Sequence, residues 1–168
     1  EINFKSPKSI LQNLKIVNPN VSIVKIAKAL PATIGIIKTI DRMEDFIRQN
    51  AGFEQNENEM EDIFSEFKQK LDSTTGYKEY KKLKKEYLKK LANVKINKPK
   101  NPIRVGLVGD YYTVQEPFSN YNMEKELEKM GIEVHREMNL TNTIIKSKYK
   151  SSRKIGKKYV KFNIGATA

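Results

Sequence analysis

The sequence predicts an α/β protein: a flavodoxin-like or Rossmann-like parallel-sheet unit preceded by a mainly helical segment. Three observations predict it. Ile103 to Val108 is a short β-branched apolar run closed by Gly109, the pattern of a buried parallel strand. Met123, Leu127 and Met130 then recur at helical spacing before Gly131, with Asn120 placed to cap that helix and Gly131 placed to end it. Ile132 to His135 starts a second strand. Upstream, from Ser6 to Leu91, the apolar residues recur at three and four rather than at two, so helices come first.

The upstream elements follow in order. Ser6-Pro7 reads as a cap and first-turn proline, with Ile10, Leu11, Leu14 and Val17 on one face until Asn18-Pro19-Asn20 breaks it. A second helical run from Val21 turns Ile23, Ile26, Ala27 and Leu30 inward, and Pro31 is expected to kink or restart it. A third, Ile34 to Gln49, carries Ile36, Ile37, Ile40, Met43, Phe46 and Ile47, with Gly52 as terminator. An acidic helix, Glu57 to Leu71, follows Asn56 or Asn58 as cap and presents Met60, Ile63, Phe64, Phe67 and Leu71. After the Ser73–Gly76 turn, Tyr77 to Leu91 places Tyr77, Tyr80, Leu83, Tyr87, Leu88 and Leu91 on one face and lysines on the rest. Two helices of opposite charge joined by a short turn predict an antiparallel hairpin near 57–91. Asn97 to Pro102, with prolines at 99 and 102, is a polar linker that disfavours helix. The chain therefore divides into a helical segment (1–98), a βαβ-type unit (99–145), and a basic connector with an abrupt end (146–168), where Thr141 is expected to cap a last short helix.

Charge is unevenly spread over a chain of net charge +12. Residues 68–104 carry 13 basic and 3 acidic groups, and residues 146–168 carry 8 basic and none acidic. The βα unit between them, 105–145, is net negative, with 3 basic groups against 7 acidic. Mean hydropathy is −0.65 and no window approaches the length of a membrane span, so no membrane partner is expected. Localisation is expected to be cytoplasmic. With no cysteine, this chain holds neither a disulfide nor a thiolate metal site. His135 is the sole histidine, and no nucleophile has an evident partner, so no catalytic residue and no metal ligand is expected here. The acids Glu59, Glu61, Asp62 and Glu66 fit a solvated helix start, favoured by the helix dipole.

In open α/β sheets, ligands bind beyond the carboxyl ends of the strands. Gly109, Asp110, Tyr111, Glu116 and Asn120 occupy that position after the first strand, on a loop expected to run from Asp110 to Ser119. Gly106 and Gly109 are not a dinucleotide fingerprint, which needs a helix opening directly on its glycines. The five residues are the candidate ligand-binding set.

The order Gly109-Asp110, Glu116-Pro117-Phe118, Asn120, then Leu127 through Gly131 to Glu133-Val134-His135-Arg136 resembles the 2-hydroxyacyl-CoA dehydratase-like and CoA-substrate-specific enzyme activase-related proteins. The resemblance is firm over residues 77–140 and extends weakly to residue 1. It implies a portion of an iron–sulfur protein of CoA-ester metabolism, in which a cluster passes an electron to a hydroxyacyl-CoA thioester so that water is eliminated. It also implies that the cluster and its cysteine ligands lie outside this chain, which begins at Glu1 without Met and is expected to be a piece of a longer protein. The chain itself would be scaffold and partial ligand wall, with no cofactor of its own. Its expected partners are the rest of its own polypeptide or a dehydratase or activase subunit, and an acyl-CoA. The competing expectation is a basic interaction module, built on residues 78–100 and 146–161, that binds nucleic acid or an acidic protein. No nucleic-acid-binding signature accompanies those blocks, which makes nucleic acid the less favoured partner.

Overall fold

The computed structural model describes residue 16 and residues 22–145. The helix expected from Ser6, and Tyr149 of the last expected helix, lie outside the described residues, as does the basic connector. The order is α1 (Ile23–Asn50), a 3₁₀ turn (Ala51–Phe53), α2 (Glu59–Asp72), α3 (Tyr77–Ala92), β1 (Arg104–Leu107), α4 (Tyr111–Gln115), α5 (Met123–Lys129), β2 (Glu133–Arg136) and a π-type turn (Thr141–Ile145). It is a mixed α/β structure, mostly helical, with a two-stranded parallel sheet after the helical segment.

The helical periodicity reads correctly as a core. Met43 and Ile47 of α1, Met60, Phe64 and Phe67 of α2, Tyr87 and Leu91 of α3, and Val94 form one buried cluster. Phe67 and Tyr87 lie centroid to centroid at 5.6 Å across the α2–α3 hairpin. Burying side chains of this size stabilises by about 1.5–3 kcal/mol each. The opposite charges of the hairpin are used sparingly: among the described residues, Lys90 to Glu66 at 3.1 Å is the ion pair that joins the two helices. Tyr80 anchors α3 to α1, its hydroxyl donating to the Gly35 carbonyl at 2.6 Å and lying 2.7 Å from the Thr39 hydroxyl.

Several local expectations are corrected. α1 runs without interruption through Pro31. A proline removes one intrahelical donor, and the residues on both sides carry the helix across that gap. Gly52 does not end α1 with a left-handed turn. It sits in the 3₁₀ turn, where a β-carbon would come within 2.3 Å of the Glu128 carbonyl oxygen. Glycine is needed there for close approach of α5. The first turn of α2 is capped by neither asparagine side chain. Asn58 takes a left-handed φ of 63°, Asn56 donates to Glu59, and the Glu54 carboxylate accepts from the Met60 N–H at 3.0 Å. At the π-type turn, Asn139 rather than Thr141 does the capping, its side-chain oxygen accepting from Asn142 N–H at 2.8 Å.

The strands are parallel, as expected, with Arg104 opposite Glu133, Val105 opposite Val134, Gly106 opposite His135 and Leu107 opposite Arg136. Their burial is the reverse of the expectation for the first. β2 is the covered strand, packed under α1 with Val134 fully buried. β1 is the outer strand, and Ile103 and Val108 at its two ends are 68% and 67% exposed. β1 pairs with β2 alone among the described residues, so its side chains lack the cover that a central parallel strand receives from both faces. α5 ends at Gly131 as predicted, with φ 68°. Ile132 N–H bonds the Leu127 carbonyl and Gly131 N–H the Glu128 carbonyl, a Schellman arrangement. Its face of Met123, Leu127 and Met130 is largely uncovered, with Met130 70% exposed.

Candidate functional site

The connection from β1 to α5 leaves the carboxyl end of β1, the position where an open α/β sheet carries its ligand. It is not the open loop expected from the sequence, because α4 folds inside it. Asp110 starts α4: its carboxylate accepts from the Thr113 N–H at 3.1 Å and from the Thr113 hydroxyl. Those bonds hold the Asp110 carboxyl below the usual carboxylate range. Gly109 lets the chain turn tightly, since a β-carbon there would lie 2.9 Å from Val114. Tyr111 and Tyr112 are exposed on α4. The Glu116 carbonyl closes the next turn, accepting from Ser119 and Asn120 N–H groups.

Asn120 stitches the connection together. Its amide donates to the Thr113 carbonyl at 3.1 Å, and its oxygen accepts from Met123 N–H at 3.3 Å, a partial form of the expected cap. The residue in the cap position is Asn122. Tyr121 and Asn122 both adopt left-handed backbone, φ 56° and 55°. Asparagine tolerates this; for a bulky residue such as Tyr121 it costs roughly 1–2 kcal/mol. The Tyr121 ring is 89% exposed, as is that of Phe118.

A polar cleft of about 230 Å³ opens beside this connection. Gln115, Pro117, Asn120 and Asn122 form one wall, α1 and α2 contribute Glu44, Ile47, Arg48, Glu61 and Phe64, and Glu124, Lys125, Glu128 and Arg136 complete it. Of the five residues chosen from sequence, Asn120 lines this cleft. Gly109, Asp110, Tyr111 and Glu116 share the connection but stand outside the lining.

Two buried arginines form the floor. Arg136 of β2 donates to Glu124 at 2.8 Å, to Glu44 at 3.4 Å and to the Val114 carbonyl at 3.3 Å. Arg48 of α1 pairs with Asp45, lies 3.6 Å from Glu44 and 3.8 Å from Glu124. Both side chains are 6% exposed, and the Nε of each is buried without a hydrogen-bond partner. Burial raises the Glu44 carboxyl even though both arginines pull it down. Glu128, at the α5 side of the cleft, is pushed up to about 7 by burial and by the charges of Glu61 and Glu124.

A second charge cluster gathers on the buried Glu133 carboxylate at the start of β2. The Glu133 carboxylate accepts from Lys98 at 2.9 Å, Arg104 at 3.3 Å and His135 Nε2 at 2.5 Å. Burial alone would raise its carboxyl, but the bonds from Lys98, His135 and Arg104 outweigh burial and hold it at about 2. Lys98 also donates to the Gln49 carbonyl at 2.7 Å, so the linker is fastened to the end of α1. Lys98 and Arg104 reach this carboxylate from the linker and from β1, the parallel register setting Arg104 opposite Glu133, a meeting with no local sequence signal.

Chemically the cleft offers hydrogen-bond donors and acceptors but no nucleophile with a base beside it. Among the described residues no cluster of histidine and carboxylate side chains has metal-holding geometry. No helix among them is long and apolar enough to cross a membrane. No family model, no curated protein and no solved structure matches this chain.

Proposed function

We propose that this chain is a non-catalytic portion of a 2-hydroxyacyl-CoA dehydratase-like iron–sulfur protein of CoA-ester metabolism, with the Gly109–Asn122 connection serving as part of its ligand wall. The observation that carries this reading is the placement of that connection. It follows the carboxyl end of β1 in a parallel unit, where α/β sheets of the flavodoxin-like kind bind ligands. The left-handed Tyr121, held with its ring in solvent, adds support, because backbone strain of this kind concentrates at functional sites. The Gly-Asp, Glu-Pro-Phe and Glu-Val-His-Arg pattern supplies the chemical class.

In this reading the chain's residues position and do not react. Asn120 and Asp110 fix the connection, the exposed tyrosines offer contact surface, and the acyl-CoA lies against them. Without a cysteine, the chain leaves the cluster to the rest of the protein or to a partner subunit, in a cytoplasmic setting.

The test is the iron and acid-labile sulfide content of the natural gene product, purified without oxygen, together with its visible spectrum. Stoichiometric iron and sulfide, with acyl-CoA binding that weakens in a Tyr121→Ala, Tyr112→Ala variant, are expected. Iron-free, well-folded protein with unaltered acyl-CoA binding in that variant would overturn the reading.

A further inference from the structure

We propose that the solvent face of α3 is a binding track for the phosphate backbone of a single-stranded nucleic acid. Lys78, Lys82, Lys85 and Lys89 are spaced by four, three and four residues. At 100° per residue they fall within one narrow stripe along the helix, on the side opposite the buried Tyr80, Tyr87 and Leu91. All four are exposed, and none has an ion-pair partner among the described residues. The acids that share the helix are occupied elsewhere. Glu79 accepts from Thr75 at the helix start, and Glu86 faces Lys90 at 3.6 Å.

At a rise of 1.5 Å per residue the four ammonium groups are spread over roughly 16 Å, with steps of about 4.5–6 Å. That spacing is comparable with successive phosphates of an extended strand. A row of unpaired lysines therefore meets a row of phosphates and releases their counterions. Outside the stripe, toward the face of the buried tyrosines, the half-exposed Tyr77 ring tilts against Tyr80 at 5.9 Å between centroids and carries the Lys81 ammonium 4.7 Å from its own. The track belongs to α3 alone and does not depend on the acyl-CoA reading.

The experiment is fluorescence anisotropy of a labelled 12-nucleotide oligo(dT) titrated with the full chain between 50 and 200 mM salt. Saturable binding is expected, with log affinity falling against log salt at a slope of about −3, the value for four phosphates on a single strand. Lys78→Gln, Lys82→Gln, Lys85→Gln, Lys89→Gln together are expected to weaken binding at least tenfold at 50 mM salt while leaving the thermal midpoint unchanged. Absence of saturable binding at 50 mM salt would overturn the proposal. So would binding that survives the four-lysine variant and is lost when the basic residues of 146–161 are neutralised instead.

Discussion

The two halves of the described molecule are held together in different ways. α2 and α3 are fixed to α1 by apolar side chains: Met43, Ile47, Met60, Phe64, Phe67, Tyr87 and Leu91. The β–α unit is fixed to the same helix mainly by buried polar groups. Arg136 reaches Glu44, Asn139 reaches Asp45 at 3.3 Å, Thr141 N–H reaches Asp41 at 2.5 Å, and Lys98 ties Glu133 to the end of α1. An apolar interface tolerates small errors of geometry, whereas a buried ion network fails when one member is left unpaired. The helical half is thus a robust platform, and the half carrying the candidate site is attached by contacts sensitive to pH and to single substitutions.

The largest effects should come from removing one member of either interface. Phe67→Ala is expected to cost about 3–5 kcal/mol by leaving a cavity in the apolar core. Arg136→Ala is expected to cost about 1–3 kcal/mol, by removing its bonds to Glu124, Glu44 and the Val114 carbonyl while Arg48 stays beside both carboxylates. Chemical denaturation of each variant checks both, and the comparison sharpens with a second change. Replacing Arg136 and Glu124 together by Met and Leu should recover most of the Arg136→Ala loss, because the buried charges are then gone in pairs. No such rescue exists for Phe67.

Gly52→Ala should cost about 1–3 kcal/mol, since the added methyl meets the Glu128 carbonyl where α5 packs on the 3₁₀ turn. Its loss should appear in the melting temperature and in faster amide exchange of α5.

pH separates the two halves by a smaller margin. Glu128 titrates near 7 in the folded chain and at an ordinary carboxylate value when unfolded. The folded state therefore holds the extra proton, and stability should fall as pH rises from about 4.5 through 7 and level off above. Glu44 shifts in the same direction. Glu133, held at about 2, acts oppositely: its contribution is present above about 4.5 and disappears as pH falls toward 2. Denaturation midpoints measured between pH 3 and 8 should show both slopes. Glu128→Gln should reduce the upper one to the part that Glu44 contributes and leave the lower one intact.

How much of this could be read from sequence follows the same division. The apolar faces of α2 and α3 were legible because a core face repeats every three or four residues, and Phe64, Phe67, Tyr87 and Leu91 lie on it. The parallel strand–helix–strand order and the Gly131 stop were legible for equally local reasons. α4 was not, because its five residues, Tyr111 to Gln115, are too few to show a period. The charge clusters were not legible at all. Arg48 and Arg136 stand 88 positions apart, and their meeting through Glu44 and Glu124 depends on how β2 docks beneath α1. Asn120 was chosen for its place after a strand and does line the cleft. The arginines that form the floor of that cleft carried no local signal.

The most direct test of the contrast is a double-mutant cycle on Arg136 and Glu44, which joins β2 to α1, read by equilibrium denaturation of the wild type, Arg136→Met, Glu44→Leu and the double variant. A coupling energy of about 1–3 kcal/mol is expected, with the double variant more stable than Arg136→Met alone. Coupling near zero, with the two losses simply adding, would show that the β–α unit is not held to the helices by this buried pair.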